Sequence, residues 1–201
     1  AVLCAIGCKP AASTLNLGAA GIEVTPRGAV KVDEHLRTNV DGVYAAGDVN
    51  GGPQFTYVSF DDHRIILEDA WGADKGHAGA RSTRGRVLPT TTFIEPPLAT
   101  VGMSEAAAVG EGYDVVVRSG LIADMAIVPR PKILGQTDGM AKFVIDAKSG
   151  LILGATLFCP DAQELINAVA VAIRSGMTAA ELGGGIYTHP STSELFNALL
   201  G

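Results

Sequence analysis

The run Ala1-Val-Leu-Cys-Ala-Ile-Gly7 is apolar without interruption and is closed by Gly7 and Pro10. A strand with one wet face alternates apolar and polar residues, whereas a strand without alternation must be covered on both faces. The run therefore predicts a strand inside a parallel sheet, whose neighbours arrive through βαβ crossovers. No crossover precedes it, so the sequence reads as starting within a larger α/β protein. The plainer alternative is the edge strand of a small domain, but edges are usually blunted with charge and this run carries none. Without an initiator Met or a basic leader, the run does not read as a targeting segment.

The 201 residues suffice for one large domain or two small ones. With 47% hydrophobic and only 18% charged residues, the composition is that of a globular chain and not of a disordered one. A net charge of −6 argues against a phosphate-backbone binder, so nucleic acid is not expected as a partner. The longest apolar stretches, near Leu151 to Cys159 and Ala168 to Ile173, fall short of the roughly 20 residues that cross a bilayer. Cys4, Cys8 and Cys159 form neither a disulfide framework nor a pair of CxxC units, and a reducing cytoplasm is the simplest setting.

Along the chain, Thr14 to Ile22 reads as a weak helix or turn, and Val24 to Val32 as a short hairpin around Pro26 and Gly28. Val43-Tyr-Ala-Ala46 reads as a buried strand ending at Gly47-Asp48. Phe55 to Trp71 is helical, with Val58, Ile65, Ile66 and Ala70 on one face and an end near Gly72. Ala73 to Arg86 has no apolar period and reads as a linker; Arg81, Arg84 and Arg86 are either an anion patch or, as is favoured, a solvated loop. The expected organisation is residues 1–76, an α/β remnant of nucleotide-binding domains; 77–86, the linker; and 87–201, an α+β domain of antiparallel sheet with helices. In that last part Thr90 to Val101, Tyr113 to Arg118, Ala141 to Asp146 and Leu151 to Phe158 read as strands. Lys148-Ser-Gly150 makes the last two a hairpin. Ser104 caps a short helix, and Asp161, with Glu164 three residues on, caps an amphipathic one carrying Leu165, Ile166, Val169, Ala170 and Ile173.

Two constellations carry chemistry. Gly47 and Asp48 stand at the carboxyl end of a strand, where ligands bind in open α/β sheets and a carboxylate can accept hydrogen bonds from sugar-type hydroxyls. Asp after Gly is also a common turn former. The helix that starts near Gln54 offers free N–H groups to an electron-rich ring edge. Near the end, Thr188-His189-Pro190-Ser191-Thr192-Ser193-Glu194 supplies an imidazole and a carboxylate able to fix its tautomer. Ser191 to Glu194 is equally a capping box, and on local sequence alone the cap is favoured. Asp61, Asp62 and His63 are adjacent on a helix, face different ways, and read as solvated surface in preference to metal ligands.

Thr38 to Asp48, with Pro53-Gln-Phe-Thr-Tyr57, resembles the second flavin-binding segment of the FAD-dependent pyridine nucleotide-disulfide oxidoreductases, the family of dihydrolipoamide dehydrogenase and glutathione reductase. The resemblance implies that Asp48, after Gly47, holds the ribityl chain and that the backbone of Gln54, Phe55 and Thr56 approaches the pyrimidine end of the isoalloxazine. Ala5-Ile-Gly-Cys-Lys-Pro10 resembles the segment closing the NAD(P) domain, placing Gly7 near the nicotinamide nucleotide; Cys8 stands where the family usually has Arg. His189-Pro190 with Glu194 matches the family's carboxyl-terminal motif, which implies that His189 and Glu194 reach across a two-fold axis to exchange protons with the partner subunit's redox thiol and its substrate. Phe93 to Glu105 and Gly139 to Gly154 extend the likeness through the second domain. Phe55 to Ile66 is most similar to a bacterial subgroup, some of whose members are linked to reducing hypothiocyanous acid.

The implied protein is a homodimeric NAD(P)H-dependent FAD enzyme acting on a small disulfide or another oxidant, of which this chain carries the rear flavin wall, the dimer interface and the acid-base His. The four-residue-spaced cysteine pair and the GxGxxG flavin fingerprint are not in this sequence, so the chain by itself is expected to be inactive. The alternative is a non-catalytic dimerisation or binding module whose flavin segment is vestigial.

Overall fold

The turn Lys148-Ser149-Gly150 organises the second half of the molecule. Asp146 holds it: Oδ1 accepts from the Lys148 amide at 3.3 Å, and Oδ2 from the Ser149 amide at 3.1 Å and hydroxyl at 2.5 Å. The Ser149 hydroxyl, together with the amides, depresses the Asp146 pKa. In this computed structural model, which describes residues 1–72, 76 and 80–201, the turn joins β4 (Met140–Asp146) to β5 (Ile152–Phe158). β3 (Val115–Leu121) pairs with β4, while β2 (Leu98–Gly102) pairs with β5 and with β1 (Thr90–Thr92). The five strands run in the order β1-β2-β5-β4-β3, every pair antiparallel. The β1–β2 and β4–β5 pairs are joined by short connections, as antiparallel neighbours permit, whereas residues 122–139 separate β3 from β4 and β2 meets β5 from far along the chain.

The expected single strand from Thr90 to Val101 is instead the β1–β2 hairpin. Pro96 and Pro97 lie in its connection because proline cannot donate to a ladder. Gly102 closes β2 at φ 72°, where a Cβ would lie 2.2 Å from the Leu153 carbonyl oxygen. Only glycine permits that approach.

The chain forms two compact units, Ala1–Arg86 and Val87–Gly201. In the second, α4 (Ala162–Arg174) lies against β2 and β5 and buries Leu165, Ile166, Val169 and Ala172. Each large apolar side chain contributes about 1.5–3 kcal/mol on full burial, whereas an isolated helix of this length is marginal. Packing therefore positions α4. Short helices complete the layer: α2 (Glu105–Gly110), which Ser104 caps by accepting from the Ala107 amide at 3.2 Å, α3 (Pro129–Leu134), α5 (Ala179–Gly183) and α6 (Leu195–Leu200). Phe143, Phe196, Ile122, Leu157, Ile166, Leu195 and Val169 form the centre of the core. This antiparallel sheet with helices is the α+β arrangement expected from the sequence.

Asp161 departs from expectation. It sits at the N-cap position of α4 with φ 61° and makes no side-chain cap hydrogen bond. Its Oδ2 instead accepts from the Thr192 hydroxyl at 2.6 Å. A left-handed backbone turns the carboxylate away from the helix amides and toward the segment that carries His189.

In the first unit the differences are larger. Residues 1–9 form no strand and are exposed, because no neighbouring strand among the described residues pairs with them. A run that needs cover on both faces has no ladder to join. The segment expected to form a buried strand, Val43 to Ala46, makes one antiparallel bridge, Tyr44 to Arg37, and buries Ala45. Residues 24–30 turn back as expected, with a Val24–Val30 bridge and the Thr25 amide donating to Ala29 O at 2.7 Å.

α1 (Thr56–Trp71) carries its buried face on Val58, Asp62 and Ile65. One turn further the Asp69 carboxylate is also enclosed, with its side chain 2% exposed. It takes both arms of the Arg37 guanidinium, one at 2.7 Å from Nε, and the Tyr44 hydroxyl at 2.8 Å. The Arg37 hydrogen bonds hold the Asp69 pKa below the usual carboxylate value. A depressed folded-state pKa means stability that is complete above the unfolded value of about 4 and is lost as pH falls through the folded value. Urea midpoints of the first unit should thus drop below about pH 4, and Asp69→Asn should remove that part of the acid dependence while lowering stability at neutral pH. An Asp69→Asn variant with the wild-type pH profile would contradict this.

The arginines of the expected linker are each paired. Arg81 pairs with Glu68 at 2.6 Å, Arg84 with Glu34, and Arg86 with Asp61 and Asp62 at 3.0 and 2.7 Å. Each finds a carboxylate of the first unit; Arg81 and Arg84 remain exposed, as the solvated-loop reading expects, and only Arg86, with its side chain 15% exposed, departs from it. Residues 73–75 and 77–79 of the expected linker lie outside the described residues. Among those described, no helix is long and apolar enough to cross a membrane.

Candidate functional site

The first centre lies where residues 45–50 meet α1. Gly47 to Asn50 form one 3₁₀ turn, with Gly47 buried at φ 71°. A Cβ at Gly47 would come within 2.7 Å of Ser59 Oγ, so the glycine lets the turn rest on the helix. Asp48 is exposed at the turn's outer side. Phe55 precedes α1 in extended conformation and supplies no side-chain cap, so the helix amides are left to other partners. The Phe55 ring stacks on Tyr57 at 5.0 Å, 17° between planes.

A cleft of about 1240 Å³ opens beside this turn, and Gly7, Cys8, Gly51, Gly52, Gln54 and Phe55 are in its wall. The structure thus brings Gly7 together with Gln54 and Phe55, across more than forty residues of sequence. Asp48 and Thr56 adjoin these residues in the chain but are not in the wall. Glycines at the rim, helix amides without a side-chain cap and an exposed carboxylate on a rigid turn together suit a polyhydroxylated, ring-bearing nucleotide such as FAD.

Asp62 is the residue that the sequence pattern misplaces. It is 1% exposed, not solvated. Its Oδ2 accepts from the Gly47 amide at 2.8 Å and from Asn50 Nδ2 at 3.1 Å, and Oδ1 accepts from Arg86 at 2.7 Å. A signal for this exists in the sequence: position 62 falls four after Val58 and three before Ile65, on the inward stripe.

The second centre belongs to the other unit. Glu194 uses one carboxylate oxygen on the Ser191 amide at 2.9 Å and the other on His189 Nδ1, also at 2.9 Å. The cap and the imidazole partner are therefore not alternatives, because one side chain does both. These bonds, the imidazole's first, depress the Glu194 pKa. An ionised carboxylate only accepts, so Nδ1 carries the hydrogen and Nε2 presents its lone pair outward. The ring is 69% exposed, whereas Glu194 is only 14%. Thr192, which lies between them in sequence and is buried, is tied to Asp161, and Asn197 donates to Gly183 O at 2.6 Å and Gly185 O at 2.9 Å. The loop that presents His189 is thus fastened at both ends.

No disulfide forms among the described cysteines. Cys4 and Cys8 are exposed, and Cys159 is enclosed. Burial pushes the Cys159 thiol up to about 12, so it stays protonated and is a poor nucleophile. No group of three His, Cys, Asp or Glu among the described residues is placed to hold a metal ion.

Residues 88–200 match the family model described as the dimerisation domain of pyridine nucleotide-disulphide oxidoreductases, and residues 1–62 match one described as pyridine nucleotide-disulphide oxidoreductase. The chain is 41% identical over 200 residues to the probable pyridine nucleotide-disulfide oxidoreductase RclA of Escherichia coli, covering 99% of this chain and 44% of that protein. It is 38% identical over 206 residues to dihydrolipoyl dehydrogenase of Mycobacterium tuberculosis, covering 100% of this chain and 42% of the relative. The structure of the HOCl-induced flavoprotein disulfide reductase RclA from Escherichia coli superposes with a TM-score of 0.89 at 41% identity, over 98% of this chain and 43% of that one.

With its second unit matched almost end to end and its first unit over residues 1–62, the chain belongs to the pyridine nucleotide-disulphide oxidoreductase family. Members of that family are FAD-dependent and use NAD(P)H. The chain spans less than half the length of the curated relatives it matches.

Proposed function

We propose that this chain is the C-terminal portion of a homodimeric, FAD-dependent NAD(P)H:disulfide oxidoreductase and supplies three of its parts. Gly47, Asp48, Gln54, Phe55 and Thr56 form the rear flavin-binding segment, and Gly7 approaches the nicotinamide nucleotide. Residues 87–201 are the dimerisation domain. His189 and Glu194 are the acid-base pair that serves a thiol of the partner subunit. The observation carrying this reading is the 2.9 Å His189 Nδ1–Glu194 contact with the ring largely exposed. An imidazole fixed on one nitrogen and open on the other is arranged to move a proton to or from something outside its own unit.

When the flavin is bound, the chemistry supplied at the first centre is hydride acceptance from NAD(P)H and delivery of two electrons to a disulfide. The Asp48 carboxylate would accept hydrogen bonds from the ribityl hydroxyls, and the backbone at Gln54, Phe55 and Thr56 would orient the ring edge. His189 Nε2 takes the proton of an attacking thiol and returns one to the departing thiolate, while Glu194 keeps Nδ1–H in place and stabilises the imidazolium. The expected setting is a reducing cytoplasm, with a small disulfide or another oxidant as substrate.

Expression together with the upstream coding sequence provides the test. The product should be a yellow dimer that oxidises NAD(P)H in the presence of a disulfide. A colourless protein that leaves NAD(P)H unchanged would overturn the proposal.

A further inference from the structure

The acidic pair on α1 is not used by the proposed proton chemistry, yet its second member, Asp62, is a buried charged residue, 1% exposed. A carboxylate held out of water must be fully partnered or it is costly. Asp62 meets that requirement unevenly. Oδ1 is given to Arg86, whose side chain is itself only 15% exposed, and Oδ2 is given entirely to the turn, at its first residue through the Gly47 amide and at its last through Asn50 Nδ2. Asn50 Nδ2 also donates to Ala45 O at 3.2 Å, just ahead of the turn. One carboxylate oxygen thus spans the whole Gly47–Asn50 turn, and Asp48 lies inside that span.

We propose that Asp62, itself held by Arg86, is the positioning residue that fixes the Gly47–Asn50 turn and thereby aims the Asp48 carboxylate at the hydroxyls of a flavin nucleotide. The inference rests on the reading of the first centre as a flavin segment. Asp62 touches no ligand; it acts through the Gly47 amide and through Asn50. Without it the Gly47 amide and the Asn50 carboxamide each lose an acceptor; the turn keeps the Val30 amide on Val49 O at 2.9 Å and its packing on Ser59, but it loses the polar bonds that Asp62 makes to its two ends. The loss of hydrogen bonds to a charged group sets the scale of the effect on affinity.

The experiment uses the yellow holoprotein and its reconstituted apoprotein, with FAD itself as the probe. Asp62→Asn turns a donor toward Arg86 or loses the acceptor at the turn. It should raise the FAD dissociation constant about 10- to 100-fold and alter the visible circular dichroism of the bound flavin. The double variant Asp62→Asn with Arg86→Gln restores a neutral donor–acceptor pair and should recover most of that affinity and the wild-type dichroism. Should Asp62→Asn fail to fold, Asn50→Ala leaves the Asp62–Arg86 pair intact and should still weaken FAD about 3- to 10-fold. Wild-type affinity and dichroism in Asp62→Asn, a loss the double variant does not recover, or unchanged binding in Asn50→Ala would each overturn the inference. A purely structural role would lower the melting temperature of the apoprotein while leaving the affinity and dichroism of the folded fraction unchanged, and that result also overturns it. A colourless wild type would instead overturn the flavin reading itself, so the two failures are distinguishable.

Discussion

Replacing His189 with Ala is expected to slow disulfide turnover of the proposed dimeric enzyme by roughly 10²- to 10⁴-fold, the ordinary scale for a lost general acid-base group. Flavin content and the rate of reduction by NAD(P)H should stay at wild-type values, because in the proposed mechanism the imidazole's proton is needed only at the thiol. Glu194→Gln should give a smaller loss. Glutamine has one acceptor oxygen where Glu194 uses two, on the Ser191 amide and on Nδ1; with that oxygen kept on the Ser191 amide, its NH2 faces Nδ1 and favours the tautomer with the hydrogen on Nε2. Stopped-flow measurement of the two half-reactions separates these cases. A His189→Ala enzyme with an unaffected oxidative half-reaction would leave His189 with no part in catalysis.

The second large effect is on stability. Phe196, 1% exposed, meets Phe143 edge-on at 6.2 Å and the Tyr187 ring at 5.4 Å. Phe196→Ala should destabilise the second unit by about 3–5 kcal/mol, the sum of lost transfer energy and the cavity left behind. Tyr187 is fastened by its hydroxyl to Leu182 O at 2.5 Å and Phe143 lies within the sheet, so neither is free to fill the space. Chemical denaturation of residues 87–201 within the dimer reads the change. Phe196 also follows Glu194 by two residues, so the same variant should lose turnover before it unfolds. A shift below about 1 kcal/mol would mean that the ring is not part of a close-packed core.

Much of the second unit is legible from its residues because its signals are local. Lys148-Ser-Gly150 is turn chemistry flanked by β-type residues, Ser104 precedes a helical run, and the apolar stripe of α4 repeats at helical spacing. Periodicity and capping determine such elements largely within a dozen residues. Three of the misreadings share one cause, which is that the decisive partner lies outside the local stretch. The opening run has the composition of an interior strand, but a strand exists only with its neighbours. Asp161 looks like a cap until Thr192, thirty-one residues on, draws its carboxylate away. Arg86 looks solvated until Asp62, twenty-four residues back, is found beside it.

The candidate site divides the same way. His189 and Glu194, five residues apart, can be paired from sequence, and local spacing even poses the choice between a cap and an acid-base partner that the geometry dissolves. The convergence of Gly7 with Gln54 and Phe55 on one cleft needs the resemblance to a known family, since nothing in their spacing brings them together. Asp62 is hidden for a different reason. With its neighbours Asp61 and His63 it makes a hydrophilic triplet, and a triplet is easily taken for one wet surface although its members face three directions on a helix.

The two enclosed carboxylates of α1 have a consequence for how this segment tolerates change. Asp62 and Asp69 sit in the first and second halves of the helix on its inward side, and each is answered by an arginine from a different stretch of chain, Arg86 and Arg37. A purely greasy stripe lets a helix roll or slide by a few degrees with little loss, since one methyl group substitutes for another. A stripe with two ionic teeth does not, because any roll large enough to disengage them strands both charges in apolar surroundings. The helix therefore behaves like a key cut for a single angle in its lock. Sequence drift at these four positions should proceed by matched exchange of partners, with solitary replacements purged.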